Sequence, residues 1–420
     1  MFKHPLFRLL FGLRGNPRSC VYTEPLWGIP YNLYAPYVSV YMLAFGLKDQ
    51  QIGLLVSLGL VMQIITTPLS GAITDKLGRR KTTFFFDILA WTIPAIIWAV
   101  AQDFNYFLVA AIINGTWRIT HTSWSCLLVE DADPEQLVDI YTWIYIAGLL
   151  SAFFAPLAGL LINQYTLIPT VRGLYIFAAI SMTVKFVVLY IYSTETKQGA
   201  VRMEETKHQS IFSLLGEYRG VFKQILRTPA TLYTLGLMLV ISITGTVNGS
   251  FWSILVTEKL KIPAEHIALY PFARSIFMMA FFFLAMPRVK ELKFRNPMLV
   301  ALGGFVLGQT LLIIAPEKGY AVILLQTLVE ACSYAVLGTL VDRMVVVTVD
   351  AQERARITAI LLLLVVIITA PFPWIAGVLS GINRIFPFVL NIGLFIVAGW
   401  LVWQAARSAA KEEISQGVGG

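Results

Sequence analysis

Twelve stretches of this chain are each about 20 residues long or longer and nearly free of charge: 20–46, 50–73, 83–102, 105–129, 138–163, 167–193, 230–257, 264–287, 297–315, 319–347, 355–382 and 385–405. Hydrocarbon offers no partner to an exposed peptide group. A run of about 20 apolar residues that satisfies its own backbone as a helix is therefore the form in which such a chain crosses a bilayer. The pattern predicts an all-α membrane protein with twelve transmembrane helices, its lipid bilayer serving as solvent. Charged residues make up 13% of the chain, about half of what a soluble domain carries.

The net charge of +8 is distributed as topology. Most of the 32 Lys and Arg residues fall in alternate connections and at the two ends, while the intervening loops hold only Lys48, Arg172, Lys259, Lys261, Lys318 and Arg384. That imbalance places both termini in the cytoplasm and argues against a nucleic-acid partner. The opening "MFKHPLFRLLFGLRGNPRS" is too broken by charge and glycine to be the apolar core of a cleavable signal. Cys20, Cys126 and Cys332 sit in separate spans at no ligand spacing, and the histidines are scattered, so no disulfide, metal or cofactor is expected.

The longest gap, residues 194–229, divides the spans six and six. Within it Ile211, Leu214, Leu215, Tyr218, Phe222, Ile225 and Leu226 recur at helical spacing, which predicts a helix lying on the membrane surface. Echoes at an offset near 215 link the halves: "LKDQQIGLL" with "LKIPAEHIALY", Lys76, Arg79 and Lys81 with Lys290, Lys293 and Arg295, "PLAGLLIN" with "WIAGVLSGIN". The expected organisation is a six-helix bundle at 1–193, a linker at 194–229, a second, pseudo-symmetric bundle at 230–406 and a tail at 407–420.

Between spans 2 and 3 lies "SGAITDKLGRRKTT", with Asp75, Lys76, Arg79, Arg80 and Lys81 in seven positions. Ordinary inside-positive charge accounts for the Lys and Arg, not for Asp75 or for the glycine spacing. The pattern Gly71-x-x-x-Asp75-Lys76-x-Gly78-Arg79-Arg80-Lys81 resembles, position for position, the loop 2–3 signature of the major facilitator superfamily, in the loop where that family carries it. Gly71 should let span 2 approach a neighbour closely, and Gly78 should permit a tight turn. The resemblance implies that Asp75 faces the other half near a helix N-terminus, here the start of span 11 near Ile357. The arginines are expected to reach the acid-rich end of span 4, where Glu130, Asp131, Asp133 and Glu135 lie, forming a breakable cytoplasmic latch.

Charge at membrane depth costs at least about 2.5–3.5 kcal/mol and demands a reason. Arg118 stands at the middle of span 4, with Trp117, His121, Thr122, Trp124 and Ser125 on its broad face; it is either a functional group or half of a structural ion pair. Glu330 sits mid-span 10 beside Gln326, Ser333 and Tyr334, and Arg274 sits mid-span 8. These two either line a central cavity or pair to hold the second half together. Glu24 opens span 1, and Trp27, Tyr31, Tyr34 and Tyr41 form one stripe along it. The family resemblance makes span 1 cavity-lining, so the stripe either stacks on a ligand ring or packs on a neighbour. Asn248 and Trp252 on span 7 join the cavity candidates, and Asp87, His121 and Lys185 are further titratable positions, Asp87 and Lys185 lying toward the gate.

No nucleotide-binding loop is present, so energy must come from a gradient. The expectation is a multi-pass plasma-membrane protein, monomeric, that carries a small polar or anionic, sugar-like solute by alternating access, with proton coupling through Glu330 and Arg118 or, alternatively, by facilitated diffusion. Export of drugs or other amphipathic compounds is the alternative, for which Ala155-Pro156-Leu157-Ala158-Gly159-Leu160 keeps only part of the family's antiporter pattern. A transporter-like sensor lacks a signalling domain. An intramembrane enzyme would have only His121, Ser123 and Cys126 as a local cluster, without an acid partner.

Overall fold

The computed structural model describes residues 10–210, 229–284, 295–348 and 354–417, and every regular element among them is helical. Nine helices among the described residues are long and apolar enough to cross a membrane: Asp49–Leu77, Arg79–Ala99, Leu137–Tyr165, Leu167–Tyr192, Thr231–Lys259, Arg295–Ile314, Tyr320–Val341, Ile360–Ile382 and Phe386–Gln404. Three expected runs take other forms. The run at 20–46 is divided into Gly15–Thr23, Pro25–Tyr34, Ala35–Tyr37 and Val38–Ala44. Pro25 and Pro36 each lack an amide hydrogen and crowd the preceding turn, which divides the run at these points, while Pro30 lies inside Pro25–Tyr34 without ending it. The run at 105–129 becomes Phe104–Asn114 and Trp117–Val129, interrupted at Gly115 and Thr116, and the run at 264–287 is described as a short turn, Ala264–His266, followed by Leu269–Leu284. The surface helix expected at 211–228 and the basic positions Lys290 and Lys293 lie outside the described residues.

The chain forms two compact units, Met1–Glu217 with Ala264–Phe272, and Tyr218–Pro263 with Ala273–Gly420. In the first, Leu167–Tyr192 is the organising helix, packed on Pro25–Tyr34, Ile93–Ala99 and Ala155–Tyr165. Its inner face alternates small and large residues, with Ala178, Met182 and Tyr175 fully buried, as expected where dispersion and close approach rather than water exclusion hold helices together. Within Arg79–Ala99 a wider π turn spans Ile88–Thr92. There the Ala90 carbonyl accepts a hydrogen bond from Asn114 Nδ2 at 2.8 Å, replacing what the loosened ladder gives up.

In the second unit Arg295–Ile314 packs against Tyr320–Thr348 and Phe386–Gly417. Its core holds Leu237, Met298, Leu302, Leu337 and Val402 around the stacked rings of Phe305 and Phe395, 4.6 Å apart. Stacked aromatic pairs of this kind contribute about 0.5–1.5 kcal/mol beyond their contact area.

Gly159 is the tightest helix crossing in the first unit. A Cβ there would collide with the backbone carbonyl of Glu265, which cannot move aside as a side chain can. At Gly148, in the same Leu137–Tyr165 span, a Cβ would meet open space. Gly159→Ala should therefore destabilise by about 1–3 kcal/mol through overpacking. In detergent-solubilised protein its unfolding midpoint should fall below that of the parent, whereas Gly148→Ala should match or exceed the parent. Equal midpoints for the two variants would show that the crossing is not tight.

Candidate functional site

The Asp49–Leu77 helix ends at Gly78, whose φ of 84° lies in the left-handed region, and a Cβ there would crowd the Glu195 carboxylate and the Met203 sulfur. A turn this tight demands glycine. It delivers the first amides of the next helix to Glu195: Arg79 N donates to Oε1 at 2.8 Å and Arg80 N to Oε2 at 3.1 Å. A carboxylate on an open helix N-terminus satisfies orphan donors and complements the dipole at once.

Arg79, only 4% exposed, uses its planar fork in two directions. Nη1 donates to Asp75 Oδ1 at 3.0 Å, while Nε and Nη2 both reach the Glu130 carboxylate at 3.0 Å. Asp75 also receives Arg202 Nη2 at 2.9 Å, from the Lys197–Thr206 helix, and its hydrogen bonds and charge hold the Arg202 guanidinium above its ordinary value. The Thr196 hydroxyl donates to Glu130. Asp75 thus sits between two guanidinium groups of its own unit. The side chain of Ile357, near which the family resemblance placed it, lies outside the described residues.

Other expected contacts turn out differently. Arg80 does not reach the acids of span 4; its Nε donates to the Tyr190 carbonyl at 2.8 Å and its guanidinium lies 4.1 Å from the Tyr190 ring centre. Successive residues of a helix point about 100° apart, so Arg79 and Arg80 cannot share a target. Asp131 accepts from Asn16 Nδ2 and from the Lys197 amide, not from an arginine. At Gly71 a Cβ would meet open space, so no close helix approach is found there. The linker residues Glu195, Thr196 and Arg202 went unnoticed in the sequence; the one available signal was Thr196, an N-cap residue whose hydroxyl accepts the Gly199 amide at 2.8 Å.

Inside the first unit Glu24 Oε2 pairs with Lys185 Nζ at 2.8 Å. Trp27 and Trp124 flank the ammonium at 5.7 and 5.6 Å from their ring centres. The aromatic stripe is packed: Trp27 stacks on Tyr31 at 4.8 Å and meets Trp91 edge-on, and Tyr34 lies against Tyr175. Tyr34 is 4% exposed and Tyr31 36%, so of the pair only Tyr31 offers a free surface within the unit. Tyr41 is fully buried, its hydroxyl donating to the Trp98 carbonyl. Arg118 has no carboxylate partner among the described residues; its Nε donates to Gln63 Oε1 at 3.1 Å and its guanidinium lies over Trp117. His121 meets the edge of the same Trp117 and is exposed.

In the second unit Glu330 joins an amide cluster. Gln309 Nε2 donates to Glu330 Oε1 and, at 3.3 Å, to Asn248 Oδ1, while Asn391 Nδ2 donates to Asn248 Oδ1 at 3.1 Å and to Gln309 Oε1 at 3.3 Å. Gln309 and Asn391 are fully buried and were not anticipated; a lone amide in an apolar run carries no periodic signal. A Cβ at Gly308 would strike the Glu330 side chain, so glycine admits the carboxylate beside its neighbouring helix. Arg274 lies over the Tyr334 ring, 5.0 Å from its centre, and forms no ion pair with Glu330 within 4 Å among the described residues, although its charge acts on that carboxylate. Trp252 stands one helical turn from Asn248. No group of three or more His, Cys, Asp or Glu suited to a metal occurs among the described residues.

Comparison with known proteins agrees with this architecture. The nucleoside transporter NupG superposes with a TM-score of 0.72 at 16% identity, covering 93% of this chain and 100% of that one. A bacterial homolog of the human lysosomal transporter Spinster gives 0.72 at 13% identity, covering 97% and 98%. At such identities the likeness is one of fold. In sequence, 83 residues (20% of this chain) are 29% identical to the quinolone resistance protein NorA of Staphylococcus aureus, and 110 residues (25%) are 29% identical to an arabinose-proton symporter of Bacillus subtilis. These matches span only 21% and 24% of the relatives' own lengths. The Major Facilitator Superfamily model matches residues 28–325, well over half of the chain. This chain is a multi-pass membrane protein that belongs to the Major Facilitator Superfamily.

Proposed function

We propose that the protein carries a small polar or anionic organic solute across the membrane by alternating access, coupled to protons, with Glu330 as the coupling acid. In this reading twelve spans form two six-helix bundles, 1–193 and 230–406, joined by the linker 194–229, with both termini cytoplasmic, and the transporter works as a monomer. The observation that carries the reading is the setting of Glu330: a carboxyl within the membrane, held by the Gln309 amide rather than locked to an arginine. An amide donates to a carboxylate and accepts from a carboxylic acid by turning over, so the group can gain or lose a proton without breaking an ion pair. Movement that changes its distance to Arg274 then ties protonation to the open side, and reciprocal linkage ties it to substrate. Arg118 and Arg274 set two cations against the one carboxylate of Glu330, which suits an anionic or strongly hydrogen-bonding solute, and the match to an arabinose-proton symporter supports the same class. The match to NorA favours a second reading, proton-coupled export of amphipathic compounds. A thermal-shift screen against metabolites and against such compounds separates the two, since a ligand raises the midpoint of the state that binds it.

Glu330→Gln mimics the protonated acid. In proteoliposomes it should retain ligand binding and exchange while losing accumulation driven by a pH gradient. Undiminished uphill accumulation would remove Glu330 from the coupling role, and Glu24 would be tested next.

The Asp75 network is the proposed gate. Asp75→Asn releases Arg202 and one arm of Arg79 but leaves Arg79 on Glu130, so stability should change by only about 1 kcal/mol while transport falls strongly. Transport at the parent rate would show that the loop is structural only.

For the stripe, a cysteine at Tyr31 should react with a polar thiol reagent added from one side and be protected by ligand, whereas a cysteine at Tyr34 should stay inert. Labelling of Tyr34→Cys with no labelling of Tyr31→Cys would reverse the assignment of the cavity face.

A further inference from the structure

Asp87 is 6% exposed and Lys185 5% exposed, and each lies inside a membrane-spanning helix. Asp87 is eight residues into its helix and Lys185 seven from the end of its own, depths of about 10–12 Å at 1.5 Å per residue. Glu24 completes the group through its 2.8 Å bond to Lys185. Lys185 is ion-paired with Glu24, and among the described residues it forms no ion pair with Asp87, on which only its charge acts. Glu24 and Lys185 neutralise each other, and the tryptophans beside the ammonium add no net charge. Asp87 is left with a single neutral donor, the Thr120 hydroxyl, 2.6 Å from Oδ1.

The groups that act on Asp87 can be taken helix by helix. Leu167–Tyr192 contributes Lys185, the first span Glu24 and the Cys20 thiol, and Trp117–Val129 Thr120; Asp49–Leu77 contributes no charged group. A third, uncompensated charge in this interior costs several kcal/mol. One bound proton removes it.

We propose that Asp87, Lys185 and Glu24 form a proton-binding site within the first unit, with Asp87 taking up and releasing the proton. The proton comes from a hydronium ion, whose O–H bond breaks to leave water as the new O–H bond forms at Oδ2, because Oδ1 accepts from Thr120. With the proton bound, the one positive charge of Lys185 is balanced by Glu24; with it released, the same charge stands against two carboxylates. One turn nearer Gly78, the buried hydroxyls of Thr83 and Ser123 are 2.8 Å apart, and Ser123 also donates to the Thr120 carbonyl, so polar groups continue from the site toward the loop. The site rests on the charge count of the first unit and stands independently of Glu330.

The test uses the purified full-length protein in lipid nanodiscs, with protons as the ligand. Infrared difference spectra between mildly alkaline and mildly acidic buffer should contain a protonated-carboxyl band that persists in Glu330→Gln, is lost in Asp87→Asn, and in Glu24→Gln appears only at lower pH, because Lys185 is then free to compensate Asp87. Tryptophan emission should titrate over the same range and should become flat in the Trp27→Phe, Trp124→Phe double variant. Thr120→Val removes the hydrogen bond that favours the carboxylate, so its titration midpoint should move to higher pH by about 1 unit. If Asp87→Asn does not fold, Asp87→Glu should shift the band and Thr120→Val still decides the question. A band that survives in Asp87→Asn, disappears in Glu330→Gln, or keeps its midpoint in Thr120→Val would overturn the proposal.

Discussion

A charged or hydrogen-bonding group in hydrocarbon has no water to turn to, and its partners must come from the protein. Much of the arrangement inside each unit follows from this. Where the chain carries Lys185 at depth, Glu24 is brought to it across the bundle and two indole rings close over the ammonium. Where it carries Glu330, three helices supply amides and Gly308 clears the space for the carboxylate. Lys185 in the first unit is balanced by charge, Glu330 in the second by amide dipoles. The two solutions differ in consequence: an ion pair fixes the protonation states of its members, whereas an amide cluster tolerates either state of its carboxyl.

At the Gly78 turn the constraint relaxes, because water is near, and the chain uses charge for positioning. Glu195 caps the Arg79 helix, Arg79 bridges Asp75 and Glu130, and Arg202 closes on Asp75 from the linker. The Glu195 and Arg202 bonds tie helix ends to the segment 194–206, so the linker is built into the first unit as part of the motif. Lys76 continues the same pattern by donating to the Gln209 carbonyl at 2.9 Å. Partly solvated pairs of this kind hold geometry while costing little to rearrange, which suits a region proposed to open and close.

The sequence by itself determined the class of protein. Apolar runs of spanning length, few charges and one-sided basic loops leave a helical membrane protein as the only compact outcome, because hydrophobicity summed over a whole span outweighs any single residue. The spacing from Gly71 to Lys81 gave the family, and Gly78 behaves as its place in that pattern required. The sequence also identified which charges needed partners: Glu24, Asp87, Arg118, Lys185, Arg274 and Glu330 all stand where charge is expensive.

Only the tertiary structure decided who those partners are. Glu24 and Lys185 are 161 residues apart, and Asn248 and Asn391 are 143 apart. No local periodicity encodes such pairings; they depend on which helix faces meet. The same reason sent Arg79 to Glu130 and Arg80 to Tyr190, adjacent residues that point about 100° apart on one helix. It also explains why Gly71 needed no neighbour while Gly159, in a weakened version of a family pattern, turned out to be the close crossing. A residue's cost in the membrane is a property of its own chemistry and can be read from its letter, whereas its compensation is a property of the packed assembly.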